Sequence, residues 1–130
     1  MTCAVRAAPD FNRDGRHEIE VSLQQGAEME QRGIYGLVGG QLRPFRGRPG
    51  DNRFTLSYGG AGLDGAFVVC RTHAHTHRVV AVGWGRLDNT HVAVYESVYT
   101  FNGLRFRFIR NKTRRVSDRG VPPRVTGRHC

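Results

Sequence analysis

Three histidines, His73, His75 and His77, occupy alternate positions in the segment THAHTHR. If this segment continues a β-strand, residues at i, i+2 and i+4 project from one face, so the three imidazoles could converge on a zinc ion. The segment also suits the tip of a hairpin between two apolar strands, where the histidines would form a polar turn. The sequence leaves both interpretations open.

Neighbouring residues extend the chemistry that these histidines could perform. A zinc site needs a fourth ligand or a water, and His91, Glu96 or Cys70 are the candidates to supply one. Without a metal, a small nuclease needs a general base, a general acid and a cation beside the phosphate. We therefore consider a nuclease or a metal-dependent hydrolase as an alternative function, with catalytic candidates His73, His75, His77 and His91 and metal candidates His73, His75 and His77.

Four apolar segments in quick succession must position these residues. They lie between Ala66 and Arg110 and read AFVVCRT, RVVAVGW, HVAVYESVY and LRFRFIR. Asn102-Gly103, between the last two, is the strongest hairpin signal in the chain. The pattern predicts four consecutive antiparallel strands that form the centre of the fold.

The earlier part of the chain adds shorter strands. Residues 17–23 alternate and predict a half-buried strand, with Ile19 facing the core and Glu18 and Glu20 facing outward. Gly39-Gly40 predicts a hairpin turn, and residues 54–58 predict another strand. About eight short strands without a helix predict an all-β antiparallel meander that closes into a small barrel or a sandwich. In a closed barrel, the outward glutamates would face Arg105 and Arg107 on the last strand.

Charge and composition divide the chain into three parts. The formal net charge is +9, and residues 110–130 contain seven basic residues against one carboxylate. Pro122-Pro123 and the loss of apolar alternation predict a basic mobile tail at 111–130. We therefore predict a flexible lead-in at 1–14, a β-domain at 15–110 and this tail.

The basic residues are the clearest indication of a partner. Nineteen of the twenty are arginine, which binds phosphate in a bidentate fashion, although a GC-rich coding sequence also favours arginine. A positive field of this kind attracts polyanions. The predicted nucleic-acid-binding residues are Arg110 at the end of the β-domain, Lys112, Arg114, Arg115 and Arg119 in the tail, and Arg43, Arg46, Arg48 and Arg53 around one loop.

The three cysteines, Cys3, Cys70 and Cys130, are an odd number, and two lie near the chain ends. We predict no disulfide framework and hence a reducing compartment, cytoplasmic or nuclear. The N-terminus lacks the long apolar region of a secretory signal, so secretion is not expected. The sequence has no run of about eighteen apolar residues, so no transmembrane helix is predicted.

The segment QRGIYGLVGGQL resembles the strand-turn-strand H-box of the H-box/NC proteins, a permuted papain-like group. Gln31 or Arg32 stands where that group has its catalytic histidine, and Val69 rather than asparagine precedes Cys70. The resemblance covers about a dozen residues and implies at most an inactive relative.

The leading prediction is therefore a small accessory or regulatory protein that binds nucleic acid, with a viral origin as one option. Binding would proceed largely through phosphate contacts, with RNA or single strands favoured. A further alternative is a protein-interaction or assembly module that meets an acidic protein surface.

Overall fold

The computed structural model describes residues 4–11, 15–47 and 53–130, which form an antiparallel β-sheet, so the predicted all-β class is confirmed. Residues 1–3 and 12–14 of the predicted lead-in lie outside the described residues. No helix in the described ranges is long and apolar enough to cross a membrane. Within the described residues the sheet has nine strands: β1 Val5–Ala7, β2 Ile19–Gln25, β3 Met29–Val38, β4 Gln41–Pro44, β5 Thr55–Ala61, β6 Asp64–His73, β7 Thr76–Arg86, β8 His91–Asn102 and β9 Arg105–Ser117.

The strand order is β1-β2-β3-β5-β6-β7-β8-β9, with β4 paired to β3. The predicted turns are present: Gly39 and Gly40 adopt positive φ between β3 and β4, and Gly103 does so between β8 and β9. The prediction left open a barrel or a sandwich, and the sheet does not close into a barrel. The nearest approach to closure is an isolated bridge, in which Arg46 N–H donates to Leu104 O (2.9 Å) and Phe106 N–H donates to Arg46 O (2.8 Å).

Neighbouring residues of a strand point to opposite sides. Strands β6 to β9 have apolar residues at both odd and even positions, so both faces of this part of the sheet are apolar. One face, here called the inner face, contributes Val68, Val79 and Phe106 to a cluster. The other buried members of this cluster are Phe11, Ile34, Phe45 and Leu56. The opposite, outer face carries a second cluster: Val80, Val82, Trp84, Val92, Val94 and Val98. Val121 and Val125 from the C-terminal segment pack against this second cluster.

The C-terminal region differs from the predicted mobile tail. Residues 111–117 belong to β9, and a turn of 3₁₀ helix, Asp118–Gly120, follows. Beyond it the chain returns to β6, where Cys70 and Arg128 exchange two backbone hydrogen bonds and Cys70 forms a disulfide with Cys130. The disulfide contradicts the prediction drawn from the cysteine count, because two of three cysteines pair. It also removes that basis for a reducing compartment.

The orientation predicted for the first long strand is wrong. Glu18 and Glu20 are buried, 4% and 3% exposed, instead of facing outward. Glu18 accepts a hydrogen bond from the Phe11 N–H, and Glu20 accepts from Tyr58 Oη (2.7 Å) and Arg32 Nη1 (2.9 Å). These partners satisfy the carboxylates, which makes burial tolerable. Since β2 lies between β1 and β3, the predicted pairing with arginines of β9 does not occur.

Candidate functional site

A β-bulge in β9 aligns its basic side chains. Val98 of β8 pairs with Arg110, while Tyr99 pairs with Phe108, so Ile109 has no partner in β8. Because of this extra residue, the side chains that face a given side are at odd positions before the bulge and at even positions after it, or the reverse. Cations at odd positions before the bulge and at even positions after it therefore project from the same, outer face: Arg105, Arg107, Arg110, Lys112 and Arg114. We call these five residues the β9 cation row, which extends over about 30 Å of strand.

The outer face as a whole is strongly basic. By strand register, the described residues of β6 to β9 place one carboxylate there, Glu96, against the β9 cation row and three arginines, Arg71, Arg78 and Arg86. Glu96 lies in the centre and is 6% exposed. The Arg78 Nε is buried and has no hydrogen-bond partner within the described residues. This face therefore attracts anions more strongly than the net charge of the chain alone would indicate.

Three of the outer-face arginines have a structural role. Arg86 Nη1 lies 3.2 Å from Asp118 Oδ2. The other two, Arg71 and Arg114, share Glu96. Arg71 Nη2 lies 3.0 Å from Glu96 Oε1, and Arg114 Nε lies 3.5 Å from Glu96 Oε2. The same two guanidinium groups donate to carbonyls of the C-terminal segment, Arg71 to Thr126 O (2.6 Å) and Arg114 to Arg124 O (2.7 Å). Together they hold this segment against the outer apolar cluster.

The other four members of the β9 cation row are available to a ligand. Arg105, Arg107, Arg110 and Lys112 are exposed, and their side chains form no hydrogen bond or ion pair with any residue that the structure describes. From Arg107 to Ser117, the edge of β9 that faces away from β8 is also unpaired among the described residues. Arg107, Arg110 and Lys112 therefore line an open sheet edge, and Arg105 lies at its end, beside the bridge to Arg46.

Arg115, also predicted to bind nucleic acid, points to the inner face because it pairs with Ala93. Its Nη2 lies 2.7 Å from Asp88 Oδ2 and 3.0 Å from His91 Nδ1. Asp88 also accepts from the backbone N–H groups of Thr90 and His91. The Thr90 bond, with smaller contributions from His91 and Arg115, lowers the pKa of Asp88 to about 2. His91 thus belongs to a charged cluster that stabilises the β7–β8 turn.

The three clustered histidines lie at a hairpin tip. β6 ends at His73 and β7 begins at Thr76, with Ala74 and His75 at positive φ in the turn between them. The strand alternation on which the zinc prediction rested is therefore interrupted. His77 instead lies 3.0 Å, through its Nδ1, from the Thr72 Oγ1 of the opposite strand. No group of three possible metal-ligating side chains occurs among the described His, Cys, Asp and Glu residues.

The histidine candidates also fall into two separate places. His73 to His77 lie at the start of β7, whereas His91 lies beyond its end, so the length of the strand, about 33 Å, separates them. They cannot act on one substrate atom together. His77 does line a recess of about 430 Å³ with Asp10 and His129, beside the Cys70–Cys130 disulfide.

The remaining predicted arginines are dispersed. Arg43 and Arg46 line a shallow recess with Arg105, next to the bridge between Arg46 and Arg105. Arg53 is exposed before β5, and Arg119 is exposed in the 3₁₀ turn. Arg48 lies outside the described residues.

A second charged network links strands β2, β3 and β5 at the other end of the sheet. Arg32 bonds to Glu20 and to Glu30 (3.0 Å), and its guanidinium lies 4.0 Å from the centre of the Tyr58 ring. Hydrogen bonds from Ser22, Arg6 and Arg32 lower the pKa of Glu30 to about 2. Burial, together with the Glu20 carboxylate, raises the pKa of Tyr58. Because each carboxylate already has a cationic partner, this network stabilises the β2–β3–β5 region rather than forming a reactive site.

Sequence reasoning missed part of the candidate site. It assigned Arg105 and Arg107 to strand pairing and did not connect them with Arg110 and Lys112, because the bulge that aligns them leaves no clear mark in the sequence. Comparison of the chain with protein-family models, with curated proteins and with solved structures gives no match.

Proposed function

We propose that this protein binds single-stranded nucleic acid, with RNA as the first ligand to test, along the open edge formed by β9. The observation that supports this proposal is the alignment of Arg105, Arg107, Arg110 and Lys112, all exposed and unpaired among the described residues, on one face of an edge strand. Lys and Arg that neutralise phosphates release counterions, which supplies most of the affinity of sequence-independent binding.

Edge-strand charges have another general role, since they prevent other strands from pairing with the edge. That role requires charge but does not require a common face. The bulge at Ile109 brings cations from odd and from even sequence positions to the same side of the strand. This shared orientation favours a linear polyanion as the ligand and a backbone-directed mode of binding.

The test is fluorescence anisotropy of a labelled oligouridine across a salt series, with a duplex of equal length alongside. If four cations each contact a phosphate, the plot of log K against log salt should have a slope of about −3. The single strand should bind more tightly than the duplex. Absence of binding at low salt, or an affinity that does not change with salt, would contradict the proposal and leave an acidic protein surface as the partner to pursue.

A nuclease activity is the second candidate, and one observation favours it. His77 and His129 line the same recess, with Arg71 also present, so imidazoles and a guanidinium meet at one surface. A general acid, a general base and a cation are the groups that phosphodiester cleavage needs. Electrophoresis of the oligouridine after each binding experiment tests this candidate, because cleavage that disappears in His77→Ala and His129→Ala would establish it.

A further inference from the structure

Tyr95 lies in β8, a strand that is paired on both sides, and is nevertheless 52% exposed. β8 has a partner on each side there, Gly83 of β7 and Thr113 of β9, so the side chain stands on the inner face. Its hydroxyl forms no hydrogen bond and its ring contacts no other aromatic ring within the described residues. A tyrosine usually buries much of its ring or uses its hydroxyl, and this one does neither.

The surroundings of Tyr95 form an open shelf. Its neighbours on the inner face are small: Gly83, Gly85, Ala93, Ser97 and Thr113. A Cβ added at Gly85 would meet no atom within 4 Å, and one at Gly83 would meet only the Gly65 carbonyl at 3.9 Å. The space above the backbone beside the tyrosine ring is therefore empty enough to admit a flat group.

A fixed cation borders this shelf. The Arg115 side chain is 58% exposed and projects from the inner face, two residues along β9 from Thr113. Its bonds to Asp88 and His91 hold the guanidinium in place. Side chains in this diagonal relation lie about 7–8 Å apart, a distance that an aromatic ring and an arginine can span.

We infer that Tyr95 is a stacking platform for an unpaired base of the bound strand. The inference rests on the proposed function and identifies the part of the ligand that the cations do not recognise. Tyr95 lies one strand in from the β9 edge, about 5 Å from it. The β9 cation row projects from the outer face and Tyr95 from the inner face, so the strand must wrap around the free edge of β9. Its phosphates would contact the row, and one base would turn over β9 onto the shelf, beside Arg115. A duplex cannot do so, because its bases are paired and stacked inside the helix.

An abasic oligonucleotide separates this inference from the proposed function, since it keeps the phosphates and lacks the bases. We expect wild-type protein to bind oligouridine at least about fivefold more tightly than the abasic strand of equal length. Tyr95→Leu should lower the affinity for oligouridine to the abasic level and leave the affinity for the abasic strand unchanged. Tyr95→Phe, which keeps the ring, should behave like the wild type.

Phe108→Leu is the matched control, because Phe108 is also an exposed aromatic residue of the inner face but packs on Tyr99. Equal denaturant midpoints would establish that the variants are folded. If Tyr95→Leu preserves the preference for oligouridine over the abasic strand, the stacking inference is wrong while the proposed function stands. If wild-type protein binds neither strand, the proposed function fails and the inference fails with it.

Discussion

Replacement of Arg107, Arg110 and Lys112 by glutamine should weaken the binding of oligouridine on the order of 10- to 100-fold at low salt and reduce the salt slope by about 2. The three side chains project from the outer face and form no hydrogen bond or ion pair within the described residues. Their replacement therefore removes phosphate contacts without disturbing a network. Anisotropy across the same salt series measures both effects.

The control variant carries the same change in net charge elsewhere. Replacement of Arg43, Arg46 and Arg53 by glutamine also removes three positive charges, and it tests the loop arginines predicted from the sequence. We expect this variant to retain most of the affinity, because none of the three residues lies on β9, and Arg43 and Arg46 approach the β9 cation row only at its Arg105 end. An equal loss in both variants would mean that net charge alone, and not the alignment on β9, determines binding.

Loss of the Cys70–Cys130 disulfide should lower the free energy of unfolding by about 2–4 kcal/mol. The bond joins residues that are 60 positions apart, so it restricts a long loop of the unfolded chain. It also fixes the segment that covers Val80, Val94 and Val98 on the outer face. Urea denaturation of Cys130→Ser, in a Cys3→Ser background that prevents disulfide exchange, measures the change.

Reductant supplies the internal control for this prediction. The Cys3→Ser protein under reducing conditions should unfold at the same urea concentration as the Cys130→Ser variant. If its midpoint does not move on reduction, the disulfide does not contribute to stability, and the C-terminal segment would be held by Arg71, Arg114, its valines and the backbone bonds of Arg128 to Cys70.

The sequence predicted the local features of the fold better than its long-range contacts. Asn102-Gly103 and Gly39-Gly40 specify hairpins through the backbone conformations that these residues favour, and both turns are present. Alternation also located the central strands. Barrel closure, in contrast, depends on how far the sheet curls, and no local pattern encodes that. The result is one isolated bridge at Arg46 instead of a continuous ladder.

Buried charged side chains explain the largest errors in the fold predicted from the sequence. Alternation assigned Ile19 to the core and Glu20 to solvent, because a carboxylate is normally exposed. Its partners, Tyr58 and Arg32, come from two other strands and could not be identified before the pairing was known. The C-terminal segment was missed for a similar reason. Its anchors are isolated valines, carbonyls that accept from arginine, and one cysteine, none of which forms a periodic pattern.

The candidate site was only partly accessible from the sequence. Arg110 and Lys112 were identified from charge density, but as members of a flexible tail instead of an edge strand. Their alignment with Arg105 and Arg107 depends on the single unpaired residue at Ile109. Both interpretations of the histidine segment were available beforehand, and the turn at Ala74 and His75 decides in favour of the hairpin tip.

The central claim is that a polynucleotide lies along the free edge of β9, and mapping of backbone amide chemical shifts during titration with oligouridine tests it most directly. We predict that the largest shifts occur from Arg107 to Arg115 and around Tyr95, with little change in β2 and β3. Shifts concentrated instead at Arg43 to Arg53, or in the recess formed by His77 and His129, would contradict the assignment of β9 as the binding edge.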